Sequence, residues 1–195
     1  MSHGHGHGAG HDDHGSNRKI GLLIAIMALL LSFSEMGNKL SENESIAKNL
    51  ESSNLWAFYQ AKTIRRTVIQ TASEEMKVTS TGIADPAAKA VLEAQMKKWN
   101  DTAARYESEP ETGEGRKELA ARAKTAEDRR DITKARAHIF EFASALLQIA
   151  IVLASTAVIT ELMLLAFSAI ALSIGALGLM GVAIWAPMAL HFGGH

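Results

Sequence analysis

The stretch IFEFASALLQIAIVLASTAVIT, residues 139–160, decides the fold: it has 22 residues and a single charge, Glu141. As an α-helix it covers ~33 Å, enough to cross a hydrocarbon layer of ~30 Å. Only Glu161 separates it from a second apolar run, residues 162–190, so the two runs read as a tight hairpin of spans. Near the end of that run Trp185 fits an aromatic anchor at the interface and Pro187 a helix stop. A third run, residues 20–36, precedes them with Glu35 as its one charge. It is short and needs a thinned bilayer or interfacial help. A cleavable signal peptide is the rival reading of this run. Arg18 and Lys19, twelve apolar residues, then Ser32-Phe33-Ser34 imitate one. The polar tail before Arg18 is long for such a signal and the apolar run continues through Phe33 and Met36, so a retained anchor is expected.

The three runs hold 68 of the 195 residues but only two of the 41 charges. A mean hydropathy of +0.03 therefore averages over membrane and water. The expected class is all-α, an integral membrane protein with three transmembrane helices at 20–37, 138–160 and 162–190, and a helical domain between the first two. Short tails remain at 1–19, His/Gly-rich and expected to be disordered, and at 191–195. The net charge of −1 gives no clustered basic surface for phosphate, so no nucleic-acid partner is expected. Zero Cys excludes disulfide frameworks, thiolate zinc sites and cysteine nucleophiles.

Residues 38–137 carry 18 basic and 16 acidic side chains. Within them Ile46, Leu50, Ser53, Ala57, Ala61, Ile64, Val68, Ala72 and Met76 recur at spacings of three and four, the seam of a long amphipathic helix. That seam is expected to pack on a neighbouring helix of the chain. Asp85-Pro86 supplies an N-cap and a first-turn proline after a break near 80–85. The second helix then places Leu92, Gln95, Trp99, Thr102 or Ala103, and Tyr106 on one face and stops in the Pro/Gly-rich stretch 109–115. A third helix starts near Arg116 and meets no breaker before Thr160. The ascending arm, residues 38–79, would reach ~60 Å, and the two later pieces together ~70 Å. These lengths match if the second and third helices lie end to end along the first, giving an extramembrane, coiled-coil-like antiparallel hairpin with a broken descending arm.

Two segments carry a resemblance: NLWAFYQAK, residues 54–62, and FEFASALLQIA, residues 140–150. With one early anchor and two late spans, the chain resembles the family grouped as domain of unknown function 4337, over residues 18–190. The resemblance implies a bacterial membrane protein with a helical insert and no assigned activity. The His/Gly tail and the lack of basic residues around Glu161 depart from the pattern expected of that family.

Four groups of residues are candidates for chemistry or contact. His3, His5, His7, His11, Asp12, Asp13 and His14 are a dense set of imidazoles and carboxylates on a flexible tail, suited to Zn, Ni or Cu. Glu141, Gln148 and Ser155 recur every seven residues, with Ser144 close by, and form an intramembrane polar stripe. Polar groups are costly in lipid, so this stripe is expected to face other helices through hydrogen bonds, an ion path being the alternative. His138 and Glu141, three apart, are a minor candidate for a metal shared between subunits. Ala171, Gly175, Gly178 and Gly181 are expected to pack closely against the second span or another subunit. Trp56, Phe58 and Tyr59 cannot all be buried on one helical face, so at least one should project outward, towards a partner or the third helix, with packing within the chain as the default.

No nucleophile elbow or triad is legible, and the segment GEGRK at 113–117 lacks Walker spacing and a preceding strand. No enzyme is expected. The expected function is a structural or accessory subunit of a larger membrane complex, or a homo-oligomer, acting through the hairpin, with membrane lipid as a further partner. The alternatives are a metal-ion binding or transport protein using the His tail, and an oligomeric ion channel lined by Glu141, Gln148 and Ser155. In the bacterial inner membrane that the resemblance implies, Lys and Arg placement favours a cytoplasmic hairpin and a periplasmic tail.

Overall fold

The computed structural model describes residues 13–190, and the side chains of 18–189. Among them the chain is all-helical: α1 Asp13–Thr81, α2 Pro86–Glu107, α3 Arg116–Thr160 and α4 Met163–Trp185, closed by a 3-10 turn at Pro187–Leu190. Three of these helices are long and apolar enough to cross a membrane. α1 runs 69 residues without a proline, and extending a formed helix is cheap once it is nucleated. It therefore takes in residues 13–19, which the sequence reading assigned to a disordered tail. The last apolar run is likewise not helical throughout 162–190, because α4 ends at Trp185 two residues before Pro187.

The chain divides into two compact units, Met1–Ser45 with Asp131–His195, and Ile46–Arg130. In the first unit, Met27, Ala150, Ala154 and Ala169 form one cluster, Ala143, Leu147 and Ala176 the next, and Phe140 and Ala183 a third. The pairs 154 with 169, 147 with 176 and 140 with 183 keep one register, so α3 and α4 are antiparallel about their short turn. Glu161 makes that turn with φ 57°, a left-handed conformation that costs a non-glycine residue of the order of 1 kcal/mol. Gly37 lets α1 approach α3 closely: a Cβ there would lie 2.8 Å from the Phe140 ring. One turn away the Ser34 hydroxyl donates to the Phe140 carbonyl at 2.9 Å. The interior is thus lined largely by alanine, while Leu164, Phe167, Ile174, Val152 and Ile159 point outwards.

In the second unit, α1 is flanked along its length first by α3 and then by α2. Ser52 and Trp56 meet Glu127, Tyr59 meets Arg116, Arg66 meets Glu107, and Ser73 meets Asn100. As numbers rise on α1 they fall on its partners, so α2 and α3 lie end to end and antiparallel to it. The two-piece descending arm is therefore present, and α2 does not fold back into a three-helix bundle. Asp85 caps α2 by accepting from the Ala87 amide at 3.0 Å, with Pro86 in the first turn. The α2 face expected from its sequence is also the inner one, with Ala103 buried and Leu92, Trp99 and Tyr106 half-buried.

The face expected for α1 is corrected. Ile46, Leu50, Ser53, Ala57, Ala61, Ile64 and Val68 are all exposed, and only Ala72 and Met76 are half-buried. The inner face is instead a strict seven-residue repeat. Lys48, Leu55, Lys62, Ile69 and Met76 alternate with Ser52, Tyr59, Arg66, Ser73 and Ser80, each buried or half-buried. A period of 3.5 is that of a left-handed coiled coil. Small serines let the backbones approach; Arg66 meets Glu107 on α2, Lys62 meets Glu109 and Glu114 in the loop after it, and Lys48 pairs with Glu51 on its own helix.

Candidate functional site

The densest chemistry among the described residues lies where α2 hands over to α3 beside α1. Arg116, the first residue of α3, donates to Glu107 Oε2 at 2.7 Å and to the Tyr59 hydroxyl at 2.9 Å. Its guanidinium carbon also lies 4.9 Å from the centre of the Tyr59 ring, a cation–π distance. Arg66 brings a second cation to the same carboxylate oxygen, at 3.4 Å. Lys62 sits 5.2 Å from the Tyr106 ring centre, between Glu109 at 3.9 Å and Glu114 at 3.8 Å. α1 thus contributes the cations, α2 and the loop the anions, and α3 the arginine that joins them.

The connecting loop is fastened from below. Glu118, in the first turn of α3, accepts from the Ser108 hydroxyl at 2.7 Å and from the Glu109 amide at 3.2 Å. The hydroxyl bond, more than the amide bond, holds the Glu118 carboxyl below its ordinary value of 4.5. The Arg105 guanidinium, 2.6 Å from Glu109, depresses that carboxyl in the same way. Gly113 takes φ +67°, and Gly115 packs so tightly on Ser108 and Glu109 that a Cβ has no room. Lys62, Arg66, Arg105 and Arg116 each meet a carboxylate and Glu118 is held by a hydroxyl and an amide, the arrangement of a joint between helices, although the Nε atoms of Arg66 and Arg116 are buried without a hydrogen-bond partner among the described residues.

Below the joint, Trp56 and Tyr59 pack edge to face at 5.4 Å against Leu55, Leu119 and Ala123. The Trp56 Nε1–H donates to Glu127 at 2.8 Å. Of the three aromatic residues singled out in the sequence, Trp56 and Tyr59 are therefore inside the hairpin, and Phe58 alone projects, 63% exposed. Sequence reading missed Lys62, Arg66, Glu107, Arg116, Glu118 and Glu127. The recurrence at intervals of seven of Ser52, Tyr59, Arg66 and Ser73, and of Leu55, Lys62 and Ile69, is the signal that could have placed Arg66 and Lys62 on the inner face; no local pattern marks the other four.

In the first unit the expected polar stripe does not assemble. Glu141 and Gln148 are exposed, Ser155 bonds back to the Ile151 carbonyl at 2.8 Å, and the buried Ser144 hydroxyl has no partner among the described residues. No member bonds another described helix, because the buried face runs through Ala143, Leu147, Ala150 and Ala154, two residues out of phase. Glu141 meets His138 on its own helix, at 3.4 Å. The small-residue stripe of α4 does not pack against the second span. Ala166, Ala169, Ser173, Ala176 and Ala183 are buried, while Ala171, Gly175 and Gly178 are exposed and Gly181 is half-buried. The tail residues His3, His5, His7, His11 and Asp12 lie outside the described residues, as do the side chains of Asp13 and His14. Among the described residues no three His, Asp or Glu side chains gather as metal ligands would.

The chain belongs to the family described as Domain of unknown function (DUF4337), whose model matches residues 16–186. No curated protein and no solved structure matches it.

Proposed function

We propose that this family member is an integral protein of the bacterial inner membrane, with three spans, that performs no catalysis and serves as a structural or accessory subunit or a homo-oligomeric scaffold through its hairpin. What supports the membrane part is the inverted packing of the first unit, alanine inside and large apolar side chains outside. Lipid gives no hydrophobic drive to bury large side chains, so small residues that permit close helix approach fill the interior. The observation that carries the scaffold reading lies in the second unit. Ile46, Leu50, Phe58, Ile64 and Val68 of α1 stay exposed on a helix whose inner Lys62 and Arg66 already have partners on α2 and the loop after it. A contiguous apolar face on such a surface marks a contact site.

The test is mild extraction of the tagged full-length chain from its own membrane, followed by native mass measurement. An assembly heavier than one chain, or a stoichiometric second protein, is expected. A strict monomer with nothing bound would overturn the reading.

A further inference from the structure

The outward face of α1 has a repeat of its own. Counting by sevens, Ala47, Asn54, Ala61 and Val68 take one position of a heptad and Asn43, Leu50, Ala57 and Ile64 the other, and all eight are exposed. This second seam lies two residues, roughly 200°, around the helix from the one occupied by α2 and α3. The count runs back to Leu22 and on to Thr71 without admitting one charged residue, although α1 carries Lys, Arg and Glu at many other positions.

We infer that this face pairs with the same face of a second copy of the chain, parallel and in register, as a two-stranded coiled coil. The inference rests on the membrane-scaffold reading, because two copies crossing one bilayer in the same sense present α1 in the same direction. Three features point to a second copy. In a parallel pair each seam residue meets its own counterpart, and an uncharged seam avoids the like-charge contacts that such symmetry would impose. Asn54 then falls at the first apolar position of its heptad, four residues after Leu50 and three before Ala57. A buried asparagine at that position, both donor and acceptor, hydrogen-bonds its equivalent and fixes a parallel two-stranded register. At the seam's edge, Lys39 falls five residues before Glu44, the spacing that sets Lys39 against Glu44 of the partner subunit, twice by symmetry. Among the described residues both are exposed and neither is ion-paired within the chain.

Residues 43–71 give a contact ~42 Å long and ~10 Å wide, near 400 Å² per copy. That is about half of a standard interface. The pairing therefore draws on the high effective concentration of two copies held in one bilayer.

The chain has no cysteine, so single probes are clean. Leu50→Cys and Ile64→Cys, each in the full-length protein in lipid bilayers, are oxidised at low protein-to-lipid ratio, with the exposed α2 residue Val91→Cys as control. Each seam variant is expected to give a disulfide dimer by itself, at least ten-fold above the control. A second variant, Leu50→Glu, is expected to lower the dimer fraction at least ten-fold with unchanged helix content. Two outcomes overturn the inference but leave the scaffold reading standing: cross-linking to a protein of different mass, and dimers only when Leu50→Cys and Ile64→Cys are mixed, the mark of antiparallel pairing. A chain that stays monomeric in every variant and binds no other protein overturns both.

Discussion

Gly115 is the smallest residue on which the hairpin depends. Its Cα sits against the backbone of Ser108 and the Glu109 amide, and a Cβ would fall 2.7 Å from the Ser108 Cα. Backbone cannot yield as a side-chain tip does. Gly115→Ala should therefore destabilise the α2–α3 joint by about 1–3 kcal/mol. Urea or thermal unfolding followed by circular dichroism would register this, and an unchanged midpoint would show that the loop has an alternative packing. The same scale shows why sequence misjudged α1. Lys62 and Arg66 look like solvent-facing residues, yet both lie on the inner face because Glu107, Glu109 and Tyr106 meet them there. Leu50 and Ile64 look like core and lie outside. Hydropathy ranks side chains one at a time, and pairing across helices reverses that ranking wherever a cation is met by a carboxylate.

At the scale of the elements, the two halves of the hairpin use different chemistry. The α1–α3 half is apolar at its centre, through Leu55, Trp56, Tyr59, Leu119 and Ala123, whereas the α1–α2 half relies on ion pairs and on Ser73 donating to Asn100. The joint between them is pH-dependent in a definite sense. Glu109 and Glu118 ionise more readily folded than unfolded, so their contribution is fully present above the ordinary carboxylate value of 4.5 and is lost as pH falls through the depressed folded values. The protection of amides across residues 108–118, measured as exchange corrected for its intrinsic pH dependence, should fall relative to that of the α1–α3 half as pH is lowered below 4.5. Glu118→Gln should flatten that dependence. Element boundaries were the most legible part of the sequence, because Asp85-Pro86 and the Pro/Gly stretch near Pro110 act on the backbone directly. The joint was not legible, since its partners lie about 9 to 57 residues apart and no local pattern links them.

At the scale of the whole molecule, the three-span reading proposed above places the α3–α4 turn and the hairpin on opposite faces of the membrane, and labelling tests that placement. With the hairpin cytoplasmic, Glu161→Cys should react with an impermeant maleimide in intact cells, while Glu111→Cys should react only after permeabilisation. The reverse pattern would invert the orientation. The alanine interior of the first unit has a further consequence for movement. Alanine has no rotamers, so these helices have little to repack; motion within the unit must be sliding of one rod past another, and an alanine face offers a similar surface one turn, ~5.4 Å, further on. Among the described residues Leu147 and Met27 are the largest fully buried side chains, and they act as the teeth that stop the slide. Leu147→Ala should cost about 2–5 kcal/mol. It should also broaden the spin-label distance distribution between α3 and α4 into more than one register, turning a fixed bundle into a ratchet.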